Sequence, residues 1–221
     1  MTISFNLKKL YIPIFLLIIS LCEINAQKVL FMGNSIFYLY NVPSKFDSIS
    51  NSCGKNIKSI DISKGGYSIK YHLSDSTSLR ILKSCKWDYI ILLGFNSSRP
   101  FWGIEDIEKK YKKYYNKLVV IEPYSSFIPK SFRKPEIVEL KNKVKKICDK
   151  FNSSVILVPF GEILDCILDQ DPNFEFSEDF IHLNNISSYL LAKSIYKELF
   201  VENSKSFKIN NIVDSLLYKC Y

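Results

Sequence analysis

Four short apolar runs, Lys28–Met32, Trp87–Leu93, Leu118–Ile121 and Val155–Val158, constrain this chain more than any other feature, and Ile57–Ile62, with three isoleucines among polar residues, reads as a further strand. Strands without an inside–outside alternation are buried on both faces, as in a parallel sheet covered by helices. The stretches between them have helical character. Val42–Cys53 carries Pro43 and Ser44 near its start, and Gly54 follows it. Tyr67–Lys83 spaces Ile69, Leu73, Leu79 and Leu82 along one stripe. Further helices are expected at Glu105–Asn116, at Glu136–Phe151, from Pro159-Phe160-Gly161 through Leu168, and at Ile186–Phe200, and one more fits Ile209–Tyr218. No repeat, linker or low-complexity segment interrupts the pattern. The expected fold class is α/β, a three-layer α/β/α domain on a mostly parallel sheet of about five strands.

The fold is not expected to begin at residue 1. Lys8 and Lys9 precede an apolar run from Leu10 to Leu21, and Glu23-Ile24-Asn25-Ala26 follows. A basic start, an apolar centre and a small terminal residue are the layout of a secretory signal peptide. The run has 12 residues, short of the roughly 20 that a spanning helix needs. Cleavage after Ala26 would make residues 1–26 the signal and leave 27–221 as one exported domain, periplasmic or secreted. Two alternatives stand beside it: a lipid anchor at Cys22, against which the bulk of Leu21 counts, and a retained membrane anchor.

Residues 1–26 hold two lysines and one glutamate, so the net charge of +8 becomes +7 without them. Such a charge attracts polyanions at long range. The lysines are nevertheless interleaved with acids, as in Glu105–Lys113, which reads as a solvated face, and no nucleic-acid motif accompanies them. No nucleic-acid partner and no stable membrane insertion after cleavage are expected, and the domain is expected to be a monomer. Five cysteines remain (Cys53, Cys85, Cys148, Cys166, Cys220). None forms a CxxC pair, so no metal site is assigned, and the odd number and wide spacings leave any disulfide pairing unassigned.

Chemistry is sought at the strand ends, where open α/β sheets bind ligands. Gly33-Asn34-Ser35 closes the first strand, and a serine hydroxyl there needs a base to become a nucleophile. The chain has two histidines. His72, between Tyr71 and Leu73, reads as an ordinary helix residue at the surface or partly buried. His182 closes Asp179-Phe180-Ile181-His182, where an acid three residues ahead can accept the Nδ1–H bond and leave Nε2 as base. Gly65-Gly66-Tyr67-Ser68 follows the second strand and offers backbone N–H groups. Asn96, after the third strand, offers an amide that can donate to an oxyanion. Taken singly, each is also ordinary turn chemistry.

Taken in order, these segments resemble the four blocks of the SGNH (GDSL-like) hydrolases: Val29–Ser35, Gly65–Ser68, Trp87–Asn96, and Asp179–Asn184 with its helix. Val158–Glu162 resembles the family's segment before the last block. The resemblance spans roughly Lys28 to Phe200 and implies an SGNH hydrolase-like, flavodoxin-like fold. It makes Ser35 the nucleophile, His182 the general base and Asp179 its orienting acid. The implied oxyanion donors are the Ser35 N–H, the Gly66 N–H and the Asn96 side chain, with Gly66 preferred over Gly65 because Ser68 lies two residues beyond. Three positions depart from the pattern: Asn34 replaces an aspartate, Ser97 stands where an aspartate often follows the asparagine, and Leu183 where a proline often follows the histidine.

The implied activity is that of an exported serine esterase acting through an acyl-enzyme, without metal or cofactor, on small-molecule or glycan esters. Removal of acetyl or other short acyl groups from glycans is the leading reading. Phe95, Phe101 and Trp102 could stack on a sugar ring, line an acyl pocket or pack under their loop. The alternatives are a lipolytic esterase or thioesterase on short acyl chains, and a non-catalytic glycan-binding surface protein on the same fold. Retention of Ser35, Asp179 and His182 argues against the last.

Overall fold

The structure, a computed structural model, describes residues 26–93, 103–122, 124, 139, 142–144, 146, 147, 149–151, 155–179, 181–201 and 220. Strand β1 (Gln27–Met32) organises it, because its side chains divide the interior in two. Val29 and Phe31 point into one apolar cluster, Leu30 and Met32 into the other, and all four are fully buried. The same division runs through β3 (Trp87–Leu92) and β4 (Tyr115–Ile121). This explains why these strands read as unbroken apolar runs. With β2 (Ile57–Asp61) and β5 (Val155–Val158) at the edges, the sheet is parallel in the order β2-β1-β3-β4-β5. That is the flavodoxin-like order, whose switch point lies between β1 and β3.

Helices cover both faces. On the first face lie α2 (Val42–Ser52), α6 (Phe160–Gln170) and α7 (Asn185–Phe200), which contribute Phe46, Ile163 and Leu191 to the core. On the second lie α3 (Ile69–Ser74), α4 (Ser76–Leu82) and α5 (Ile104–Tyr111), with Ile69, Leu82 and Ile107. The described residues between 139 and 150 are helical, and Val144 joins the second cluster. A short helix α1 (Ser35–Tyr38) follows β1 directly. The three-layer α/β/α architecture is as expected from the strand pattern.

Two elements differ from the sequence expectation. The helix expected over Tyr67–Lys83 is two, because Asp75 takes an extended conformation, ends α3 and caps α4 by accepting the Ser78 N–H at 2.8 Å. Tyr115 and Asn116, expected at the end of a helix, begin β4 instead. Tyr115 pairs with Trp87 in register, and both are buried. Cys166 on α6 is disulfide-bonded to Cys220, a pairing the spacings did not indicate. The residues of the expected signal and of the helix at 209–218 lie outside the described residues.

Candidate active site

Backbone ladders carry the sheet beyond its strands and so place the loops at its carboxyl edge. The Ile62 N–H donates to Phe31 O and the Lys64 N–H to Gly33 O, while the Leu93 N–H donates to Met32 O. Gly33 is therefore held between the chains leaving β2 and β3. A Cβ at residue 33 would sit 2.7 Å from the Phe37 ring and 3.0 Å from Leu93 O, so no larger residue fits without movement. Asn34 then turns the chain into α1, its side chain accepting the Ile36 N–H at 3.1 Å. Asparagine at this departure from the family pattern thus serves as a helix cap. Ser35 becomes the first residue of α1, at the switch point between β1 and β3.

His182 reaches the same place from a small hairpin. Ser177 and Leu183 form an antiparallel bridge, and the Asn184 N–H donates to Phe176 O. The Asn184 side chain caps α7 through the Ser187 N–H and donates to Glu175 O. Within the hairpin, Asp179 Oδ1 accepts the N–H groups of His182 (2.7 Å) and Ile181 (3.0 Å), and Oδ2 lies 2.6 Å from His182 Nδ1. These contacts, the His182 backbone N–H foremost, hold the Asp179 carboxyl well below the usual carboxylate range. A carboxylate can only accept, so Nδ1 carries the proton. In the neutral ring Nε2 then presents its lone pair, and it lies 2.8 Å from Ser35 Oγ. Ser35, His182 and Asp179 thus form one hydrogen-bonded line, an arrangement that can generate a serine nucleophile and hold the imidazolium that forms.

The remaining expected site residues are placed unevenly. Gly66 lies in the turn between β2 and α3 with φ +69°, a left-handed conformation that glycine adopts without strain. This turn lies against α1, since a Cβ at neighbouring Gly65 would be 3.0 Å from the Tyr38 hydroxyl. Ser68 caps α3 by accepting the Tyr71 N–H. Asn96, with Phe95, Phe101 and Trp102, lies outside the described residues. His72, expected at the surface or partly buried, is fully buried and bonded to Gly33 O and Ser78 Oγ.

Sequence reasoning missed two contributors. The buried Tyr124, just beyond β4, donates its hydroxyl to Ile181 O at 3.1 Å and steadies the Asp179–His182 hairpin. Tyr40 donates its hydroxyl to Glu178 Oε2 at 2.8 Å, and Glu178 raises the Tyr40 pKa. Leu39, Tyr40, Glu178, Asp179 and His182 line an open cavity of about 340 Å³ beside the imidazole. Position after a strand end could have drawn attention to Tyr124; the Tyr40–Glu178 contact spans 138 residues and leaves no local trace. Among the described residues, no group of three or more His, Cys, Asp or Glu side chains gathers as a metal site, and no helix is long and apolar enough to cross a membrane.

No protein-family model matches the sequence, and no curated protein resembles it at a significant level. Solved structures do resemble its fold. A DUF4886 family protein from Bacteroides uniformis superposes with a TM-score of 0.65 at 16% identity, over 88% of this chain and 94% of that one. Axe2, an acetylxylan esterase from Geobacillus stearothermophilus, gives 0.61 at 12% identity, over 80% and 95%. TesA gives 0.59 at 15% identity, over 79% and 98%.

Proposed function

From an SGNH hydrolase-like fold with Ser35, His182 and Asp179 in line, we propose that the protein is a serine ester hydrolase that removes acetyl or other short acyl groups from glycans. The observation that carries this reading is the 2.8 Å contact between Ser35 Oγ and His182 Nε2, with Asp179 behind the ring. The similarity of fold to an acetylxylan esterase supports the substrate class.

In the proposed reaction, Nε2 takes the Ser35 hydroxyl proton as Oγ bonds to the ester carbonyl carbon. The carbonyl electron pair moves onto oxygen, facing the proposed donors: the Ser35 and Gly66 N–H groups and the Asn96 amide. Each such donor typically contributes about 3–4 kcal/mol to lowering the barrier. Collapse of the tetrahedral adduct breaks the bond to the alcohol, which leaves with the proton from His182. Water then gives a proton to Nε2, attacks the acyl-enzyme, and releases the acid while Ser35 regains its hydrogen. Because His182 protonates the leaving oxygen, the alcohol lies on the imidazole side. There the cavity bounded by Tyr40 and Glu178 offers a hydroxyl and a carboxylate oxygen to a sugar's hydroxyl groups. Export is part of the proposal, supported by the layout of residues 1–26 and by the Cys166–Cys220 disulfide, a bond typical of oxidising compartments.

Labelling with a fluorophosphonate tests the chemistry, and acetate release from acetylated xylan and from other acetylated glycans tests the substrate. Wild type should label stoichiometrically and Ser35→Ala not at all, with p-nitrophenyl acetate turnover lost in parallel. Equal labelling of both proteins, or none of the wild type, would refute the enzyme reading. Labelling without acetate release from any glycan would refute the substrate class alone.

A further inference from the structure

His72 takes no part in the proton transfers described above, yet it is fully buried and bonded at both ring nitrogens. Nε2 lies 2.7 Å from Gly33 O and Nδ1 3.0 Å from Ser78 Oγ. A carbonyl oxygen only accepts, so Nε2 carries a proton, while the Ser78 hydroxyl, which also hydrogen-bonds the Asp75 carboxylate, lies at Nδ1. Gly33 O is also the last rung of the β1–β2 ladder, through the Lys64 N–H at 3.1 Å. On its other side Gly33 is closed in by the Phe37 ring and Leu93 O. The peptide from which the chain turns into Asn34 and Ser35 is thus gripped from two sides, and His72 supplies the shorter of the two bonds to its carbonyl.

We propose that His72 is a positioning residue for the nucleophile: its Nε2–H fixes the Gly33 peptide, and through it the placement of Ser35 Oγ and N–H at the start of α1. The inference rests on the reading of Ser35 as the nucleophile. It follows from the geometry of the turn. Ser35 is two residues beyond Gly33 in a helix of four residues, too short to hold its own orientation. A misplacement of about 1 Å at a reacting group can lower a rate by roughly 10²-fold.

Burial, more than any neighbouring charge, lowers the pKa of His72. The charged groups facing it are Lys64, Asp75 and Asp61, of which Lys64 and Asp75 pair with each other at 2.8 Å. A protonated ring would still donate from Nε2, so the contact does not act as a pH switch. Its loss should lower the rate uniformly across the working pH range.

The test compares wild type, His72→Leu and His72→Gln, measuring kcat, KM and the rate of fluorophosphonate labelling, with folding followed by circular dichroism. Gln is chosen because its amide Nε2–H reaches about as far as that of imidazole. His72→Leu should lose tenfold or more in kcat and labelling rate, with KM within about twofold and an unchanged pH profile. His72→Gln should recover to within about threefold of wild type. A folded His72→Leu with kcat within twofold of wild type overturns the proposal, and so does a folded His72→Gln as slow as His72→Leu. Should His72→Leu fail to fold, nitrogen NMR of the His182→Ala protein, whose remaining histidine is His72, decides: a neutral Nε2–H ring at pH 7 upholds the proposal and an Nδ1–H ring overturns it. A wild type that does not label removes the nucleophile itself, and the inference with it.

Discussion

At the scale of single residues, the site turns on which nitrogen of each histidine carries the proton. Asp179 sets Nδ1–H in His182, leaving Nε2 to accept; Gly33 O sets Nε2–H in His72, making that ring a donor. An Asp179→Asn variant keeps the Oδ1 contacts to the backbone but turns an amide N–H toward Nδ1. That favours the opposite tautomer, with Nε2–H facing Ser35 and no base for its proton. The expected result is a fall in kcat on the order of 10²–10⁴ with little change in KM, measured with p-nitrophenyl acetate. The Asp179 pKa is depressed, so its contribution to stability is complete above the unfolded value near 3.9 and is lost only as pH falls through the lower folded value. Between pH 4 and 7 any acid limb of the wild-type rate should therefore belong to another group. The Asp179–His182 pair was legible in the sequence because its contacts are local, three residues apart. His72 was not, since its partner Gly33 is 39 residues away and only the packed fold buries the ring.

At the scale of elements, strand character came through because both faces of β1, β3 and β4 are apolar. Boundaries failed where a local device overruled an apolar pattern, as with the Asp75 cap between α3 and α4 and the strand pairing of Tyr115. Helix α7 shows the converse, charged residues inside an otherwise buried element. Lys193 and Lys197 are only 8% and 7% exposed, and desolvation holds both below the usual lysine range, Lys197 at about 8. Between pH 8 and the ordinary lysine value of 10.5 the unfolded chain binds more protons than the folded one, so stability rises with pH across that window. Below pH 8 the cost of holding Lys197 charged is fully present. Replacing it with Met, similar in length and apolar, removes that titration, so the variant's Tm should change less than wild type's between pH 8 and pH 10. Wild type should gain stability relative to the variant across that interval. Thermal melts at the two pH values check both the sign and the trend.

For the molecule as a whole, the disulfide and the charge distribution bear on where the protein works and what it admits. The Cys166–Cys220 bond closes a separation of 54 residues and fastens residue 220 to α6. Its removal as Cys166→Ser should cost about 2–4 kcal/mol, and reduction with dithiothreitol should lower the urea midpoint of wild type but not of the variant. The net charge of +8 draws polyanions toward the molecule at long range, but the described residues that line the cavity beside His182 include two acids and no lysine or arginine. Glu178 and Asp179 both line it, Asp179 is held ionised, and the Tyr40 phenol beside them resists ionisation. A neutral sugar ester can donate hydroxyl hydrogen bonds to Glu178, whereas a phosphate-bearing alcohol or thiol such as coenzyme A meets like charge. At about 8 Å in water one such pair costs on the order of 0.5 kcal/mol, and somewhat more where the dielectric is lower. Glu178→Gln keeps an acceptor for Tyr40 while removing the charge. It should therefore raise kcat/KM for acetyl-coenzyme A about two- to fivefold at 20 mM salt and leave p-nitrophenyl acetate turnover near wild type. The gain should fade at 0.5 M salt, where charges more than about 4 Å apart are screened. A variant equally slow with acetyl-coenzyme A at both salt concentrations would mean that Glu178 does not face the leaving group.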